Sequence, residues 1–203
     1  MNRKINKVAV LGSGIMGSRI ACHFANAGFE VVLLDIPAKD VADASLKKLR
    51  NAIVDNSLQK TITSNPSPLY RKSYQNRIST GNFDDDMELI GTCDWIIEAV
   101  IEKLDIKREL FDRVEKHRKP GTIVSTNTSG IPVTDICVGR SDDFRKNFCG
   151  THFFNPPRYL RLLEIIPTAD TDSQLISFLV DFGTTVLGKE TIICKDSPAF
   201  IAN

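Results

Sequence analysis

Short runs of consecutive apolar residues alternate along the chain with longer stretches in which apolar positions recur every three or four residues. Residues 8–11 and 31–34 are uninterrupted apolar runs, and between them Met16, Ile20 and Phe24 fall on one face of a helix. A helical stretch from about 40 to 58 carries Val41, Ala44, Leu49 and Ile53 near one face. Residues 93–100 form an apolar strand, and Ile106, Leu110, Phe111 and Val114 mark a helix that the charged run 115–119 closes before Pro120. Residues 122–125, 148–153 and 162–166 read as further strands, and 172–187 as an amphipathic helix. Strands that are apolar on both faces need cover on both, a property of parallel sheets. Strands alternating with helices therefore predict an α/β fold with a doubly wound, mostly parallel sheet and helices on both faces. The stretch 59–83 breaks the pattern. It is polar, with Pro66, Pro68 and the basic Arg71, Lys72 and Arg77, and reads as a surface excursion of the kind that touches ligands.

The first strand runs into Gly12-Ser13-Gly14-Ile15-Met16-Gly17, which opens the first helix; Gly28 stops that helix, and the second strand ends in Asp35. G-x-G-x-x-G alone is a weak signal, and a glycine-rich turn that binds nothing has the same residues. Placed between a strand and a helix, with an acid after the second strand, it has the context of a dinucleotide-binding βαβ unit and predicts a Rossmann-type sheet. Gly12 allows the tight turn, Gly14 lets a pyrophosphate approach, and Gly17 lets helix and strand pack closely. The helix N-terminus offers unpaired N–H groups to the phosphates. Asp35 can accept from ribose hydroxyls and repels a 2′-phosphate, and Ile36, Pro37 and Ala38 supply no arginine to welcome one. NAD is favoured over NADP. Capping of the next helix is the other use for Asp35.

Composition narrows the classes. The chain has 203 residues, 42% hydrophobic and 25% charged, with a net charge of +1, which gives no electrostatic case for nucleic acid. No stretch approaches the roughly 20 apolar residues of a membrane span. The polar start, Met1-Asn2-Arg3-Lys4, has no signal-peptide core behind it. The five cysteines are widely spaced without a C-x-x-C pair, and the three histidines lie far apart. These read as reduced thiols in a cytoplasmic protein without a metal site. Asp196-Ser197-Pro198 is a good helix start five residues before Asn203, so the polypeptide is expected to continue.

Oxidation of an alcohol needs a base, and histidine suits it near neutral pH. His23 reads as a packed or surface residue on the first helix, and His117 as a solvated one. His152 lies at the end of an apolar strand before Asn155-Pro156-Pro157, where open α/β sheets bind ligands. Glu164 interrupts an apolar run twelve residues later. Such a carboxylate either faces solvent from an edge strand or is buried with a partner, and spacing leaves a His152–Glu164 pair open. Thr126-Asn127-Thr128-Ser129-Gly130 also follows a strand. It serves either as a cluster holding a nicotinamide and a substrate hydroxyl or as an ordinary Ser/Thr turn.

Together these residues resemble the NAD-binding domain of the L-3-hydroxyacyl-CoA dehydrogenase family of fatty-acid β-oxidation. The resemblance runs through the glycine turn, Asp35, Trp95-Ile96-Ile97-Glu98-Ala99-Val100 with Glu102, Asn127-Thr128-Ser129, His152-Phe153-Phe154-Asn155-Pro156, Glu164, and the segment 195–203. Within the family, Arg158 to Glu164 and the 59–83 excursion are most similar to long bacterial proteins that join this dehydrogenase to an enoyl-CoA hydratase segment. The resemblance implies that His152 is the catalytic base and Glu164 its orienting carboxylate. It also implies that Ser129 and Asn203 hold the substrate oxygen, and that Glu102, Lys107, Asn127 and Asn155 surround the ribose and nicotinamide. It implies a 3-hydroxyacyl-CoA substrate, a C-terminal helical domain absent from this chain, and a homodimer formed through that domain. The expected division is a cofactor domain over 1–196 and the start of a truncated helix over 197–203. The family's CoA-contacting serine and lysine have no clear counterparts, because residues 40–83 diverge. A dehydrogenase of a non-CoA hydroxy acid and a non-catalytic NAD-binding protein are the alternatives.

Overall fold

A computed structural model describes residues 3–39, 43, 46–197 and 199–202. Met1, Asn2, Val41, Ala44, Pro198 and Asn203, all named above, lie outside the described residues. The first half of the chain forms β1 (Lys7–Leu11), α1 (Ile15–Asn26), β2 (Glu30–Asp35), α2 (Lys47–Arg50), α3 (Ala52–Ile62), β3 (Ile78–Asn82) and β4 (Trp95–Glu98). The second half forms α4 (Leu104–His117), β5 (Ile123–Thr126), α5 (Val133–Ile136), α6 (Asp142–Lys146), β6 (Phe148–Phe153), β7 (Leu162–Pro167), α7 (Ser173–Thr185) and β8 (Glu190–Ile193). The strands make one sheet in the order β3-β2-β1-β4-β5-β6-β7-β8, parallel throughout except for the β6–β7 pair. The order reverses beside β1, which opens the crevice that doubly wound sheets use for ligands.

Each central strand feeds two cores, because successive side chains leave a strand on opposite faces. Val8 and Val10 pack with Ile20 and Phe24 of α1, Val54 of α3, and Leu175, Leu179 and Phe182 of α7. Ala9 and Leu11 pack on the other side with Leu110, Phe111 and Val114 of α4 and Phe144 of α6. Layers of this kind are what the doubly wound expectation required.

Three local expectations need correction. The helix expected over about 40–58 breaks at Asn51, which is buried and accepts a hydrogen bond from Asn82 Nδ2 at 2.7 Å. That anchor restarts the helix as α3, turning Val54 rather than Ile53 into the core and leaving Leu49 exposed. The 59–83 excursion ends in β3, an edge strand pairing with β2 from Val31↔Ile78 to Asp35↔Asn82. Its sequence, ISTGN, carries one large apolar residue because only one side of an edge needs burying. At the other edge β8 also went unanticipated, being short and largely exposed.

The expected helix start at 197 is a turn in the described residues, with φ of 63° at Ala199 and 50° at Phe200. The buried carboxylate of Glu164 accepts the amides of Ile201 and Ala202 in this turn.

Candidate functional site

The glycine turn is built by close approach. Gly12 has φ of 100°, and a Cβ on it would lie 2.6 Å from the Ala99 carbonyl oxygen. A Cβ on Gly17 would lie 1.8 Å from the Gly12 carbonyl oxygen and 3.5 Å from Val10. Gly14 is the opposite: nothing lies within 4 Å of its absent side chain. It caps α1, whose first turn holds no acidic residue, and it borders a cavity of about 890 Å³. This opening fits a pyrophosphate laid on the backbone. The cavity runs from Gly12, Ile15, Met16 and Asp35 past Phe83, Ile106 and Arg113 on one side to Glu102, Asn127 and Ser129 on the other. An elongated, mostly apolar cleft with polar groups at its ends suits a dinucleotide.

Asp35 lines this cavity while also bracing the turn. Its Oδ2 accepts from Ser13 N–H and Ser13 Oγ, both at 2.5 Å, and its Oδ1 from Ile36 N–H at 2.7 Å. Ser13 is therefore buried and held by Asp35, and faces away from the opening. Lys107 is 1% exposed, so it sits beneath the cavity and not in its wall. It pairs with Glu98 at 2.7 Å and Glu102 at 3.1 Å. Burial pushes the Glu98 carboxyl up, against the opposing Lys107 charge and the hydrogen bond from Thr126 Oγ1 at 2.6 Å. Glu102 is half-exposed and accepts from Thr128 Oγ1, Ser129 N–H (2.9 Å) and Gly130 N–H (3.1 Å). Burial opposes its ionisation, but those bonds and Lys107 hold it below the usual carboxylate range. Lys107 thus reaches the cofactor cleft through Glu102, which also shapes the Ser129 loop.

The pair that spacing left open is formed by register. On the antiparallel strands β6 and β7 His152 stands opposite Glu164, and adjacent positions in such a ladder bring side chains together on one face. His152 Nδ1 lies 2.7 Å from Glu164 Oε2, and His152 Nε2 lies 3.1 Å from Ser129 Oγ. Glu164 is fully buried, and its Oε1 accepts the N–H groups of Ile201 (3.1 Å) and Ala202 (3.0 Å). The rings of Phe154 and Phe200 flank the imidazole, with centroids at 4.5 and 5.7 Å. Asn127 stands at the end of β5, its Oδ1 accepting Phe153 N–H at 2.9 Å. Asn155 is exposed and accepts from Arg19 at 2.6 Å, outside the residues lining the cleft. Asn203 lies outside the described residues. With Glu164 accepting at Nδ1, Nε2 faces Ser129 with its lone pair, the arrangement of a base aimed at a bound hydroxyl.

The family model described as 3-hydroxyacyl-CoA dehydrogenase, NAD binding domain, matches residues 7–197. The chain belongs to that family. A probable 3-hydroxyacyl-CoA dehydrogenase of Bacillus subtilis is 47% identical over 211 residues, covering 100% of this chain and 27% of the relative. One of Deinococcus radiodurans is 43% identical over 200 residues, covering 98% of this chain and 56% of the relative. Among solved structures, (S)-3-hydroxybutyryl-CoA dehydrogenase from Ralstonia eutropha superposes with a TM-score of 0.76 at 27% identity, covering 98% of this chain and 67% of that one. The chain therefore spans about a quarter and about half the length of those two relatives. For an NAD-binding domain the cleft has the expected parts, an open glycine at the pyrophosphate end and polar groups at the far end.

The sequence did not single out the amides of Ile201 and Ala202, or the ring of Phe200, as parts of the site. The buried acid Glu98 inside an apolar strand was a legible signal of a buried partner. Backbone amides carry no side-chain signature and could not have been found.

Proposed function

We propose that this chain is the cofactor half of an NAD-dependent (S)-3-hydroxyacyl-CoA dehydrogenase of fatty-acid β-oxidation, working in the cytoplasm. The observation carrying this reading is the Ser129–His152–Glu164 relay, whose Ser129 lines the same cleft as the glycine turn. Bound NAD supplies the hydride acceptor. His152 Nε2 takes the proton of the C3 hydroxyl while Ser129 Oγ holds that oxygen. Glu164 steadies Nδ1–H and the positive ring that results. Assistance of this type contributes roughly 10²–10⁴-fold. In this reading Asn203 helps to hold the oxygen. A C-terminal helical domain of the same polypeptide forms the far wall of the cleft and the contact of a homodimer. The greater length of the relatives supports that extension.

The test uses the polypeptide that includes this domain. Acetoacetyl-CoA should drive oxidation of NADH, and His152→Gln should lower turnover by about 100-fold or more with NAD affinity within about twofold. Equal losses of binding and turnover would remove His152 from the role of base. The 203-residue chain alone should bind NAD by calorimetry and turn over acetoacetyl-CoA far more slowly, since an open cleft admits water and weakens electrostatic stabilisation.

A further inference from the structure

Every backbone N–H from Thr128 to Thr134 is accepted by a side-chain oxygen, Pro132 having none to donate. Thr126 Oγ1 accepts Thr128 N–H at 3.2 Å, and Thr128 Oγ1 accepts Ile131 N–H at 3.1 Å. Glu102 Oε1 accepts the N–H groups of Ser129 and Gly130. The last two amides go to one carboxylate, 63 and 62 residues further along the chain. Asp196 Oδ1 accepts Val133 N–H and Asp196 Oδ2 accepts Thr134 N–H, both at 2.8 Å. Thr134 Oγ1 donates to the same Oδ2 at 2.7 Å. A loop whose amides find their partners on side chains takes the conformation those acceptors impose. The bonds to Glu102 and Asp196 are charge-assisted and so the strongest of the set.

The two carboxylates hold the loop on either side of Ser129. Glu102 lines the cofactor cleft, whereas Asp196 is not among the lining residues. Asp196 follows β8, and Cys194 N–H bonds Ile165 O at 2.9 Å, so the sheet fixes where the carboxylate starts from. Behind α5 there is little slack. Val133 is buried, and a Cβ on Gly150 would lie 3.0 Å from Val133 Cγ2. Gly150 stands on β6, two residues before His152. Asp196 thus seats the start of α5 against the strand of the base, and Ser129 Oγ lies 3.1 Å from His152 Nε2. Beyond Asp196, the amides of Ile201 and Ala202 bond Glu164. The segment after β8 therefore holds both neighbours of His152, Glu164 directly and Ser129 through α5. Helix capping alone is a weaker account of Asp196. α5 has four residues, and its Val133 and Ile136 already anchor it in the core.

We propose that Asp196 is a positioning residue for the proton-transfer step, setting the Ser129 hydroxyl against His152 through the start of α5. This rests on the dehydrogenase reading above, in which Ser129 holds the substrate oxygen. Asp196 lies outside the cleft and acts through the loop. Small displacements suffice, since misplacing a reacting group by about 1 Å costs up to about 10²-fold in rate. Asp196→Asn keeps the size of the side chain and replaces one carboxylate oxygen by an NH2 group. That group donates and cannot accept, so it opposes the N–H or hydroxyl donors of Val133 and Thr134 and displaces the loop.

The test uses the polypeptide that includes this domain. Asp196→Asn should lower kcat with acetoacetyl-CoA by about tenfold and leave KM for NADH within about twofold. In a Ser129→Ala background the same substitution should change kcat by less than about twofold, because the group it positions is gone. Hydrogen exchange of the 128–134 stretch should quicken in Asp196→Asn while that of α1 stays at the wild-type rate. If Asp196→Asn does not fold, Thr134→Val removes the hydroxyl bond alone and carries the same cycle, with an expected loss of about threefold. A kcat within about twofold of wild type in Asp196→Asn overturns the proposal. So does an undiminished loss in the Ser129→Ala background, which is what a purely structural role would give. If exchange quickens while the wild-type polypeptide turns over no 3-hydroxyacyl thioester, Asp196 keeps its hold on the loop and the dehydrogenase reading falls. If the wild type turns over the thioester and exchange of 128–134 is unchanged in the variant, the reading stands and Asp196 loses its role.

Discussion

Glu164 faces His152 across the antiparallel β6–β7 pair, and one carboxylate joins the base to the segment that follows β8. Its Oε2 holds His152 Nδ1 at 2.7 Å while its Oε1 accepts the amides of Ile201 and Ala202. Glu164→Gln keeps the size of the side chain and removes its charge. In the longer polypeptide turnover should fall by roughly 10²-fold, with NAD affinity unchanged, because the protonated imidazole loses its counter-charge. Steady-state kinetics and calorimetry measure the two quantities. A loss smaller than about threefold would mean that the charge plays no part in proton transfer.

Two glycines in one turn should respond differently to the same substitution. Gly17→Ala places a methyl 1.8 Å from the Gly12 carbonyl oxygen, so the turn must open. A loss of about 1–3 kcal/mol or more in unfolding free energy, together with loss of NAD binding, is expected. Gly14→Ala meets nothing within 4 Å and should leave stability near that of the wild type. It should still weaken NAD, since the methyl occupies the approach to the backbone. Thermal unfolding with and without NAD separates the cases, and a Gly17→Ala protein as stable as wild type would contradict the geometry.

His23 gives stability a definite slope on the acid side. Burial first, and then the Lys189 charge, lower its imidazole from 6.5 to about 3. Between those values the unfolded chain binds a proton that the folded chain excludes. Stability therefore falls as pH drops from 6.5 toward 3, by up to about 1.4 kcal/mol per pH unit from this group. Burial likewise lowers Lys189 from 10.5 to about 8, so its contribution rises with pH across that interval. His23→Leu should flatten the acid limb of urea-unfolding free energy against pH. An acid limb identical to that of the wild type would show that His23 titrates as a solvated residue.

Lys107 and Glu98 should be far more costly to separate than to replace together. Lys107→Met leaves Glu98 buried beside Thr126 without its cation, and should cost about 3–5 kcal/mol. Adding Glu98→Gln should recover a large part of that loss. The single variant should also weaken NAD, because Glu102 loses the 3.1 Å contact that helps to hold it under the Ser129 loop. Urea denaturation of both variants reads the coupling, and simple additivity would refute it.

Much of the cofactor end was legible because it is local. The glycine turn, the helix behind it and Asp35 lie within one βαβ unit, where short-range sterics and hydrophobic period set the conformation. Even there the chain hid something, since the contact of Asp35 with Ser13 is a side-chain event that no spacing announces. The edge strands escaped notice for a physical reason: ISTGN and ETII bury only part of their surface, so they lack the apolar runs of the central strands. The broken helix at Asn51 escaped because its cause, Asn82, is remote in sequence.

Taken by itself, the sequence determined the alternation of strands and helices, the buried faces of the central elements, the glycine turn and the residue types available for proton transfer. These follow from periodicity and from backbone sterics within a few residues. The tertiary structure decided that His152 meets Glu164 and Ser129, that Lys107 lies beneath the cleft, and that Arg158 reaches the carbonyls of Ser67 and Leu69. Each of those depends on strand direction and register, or on contacts between segments far apart in the chain. Such pairings are set by the whole packed sheet, where a one-residue slip would turn Glu164 away from His152.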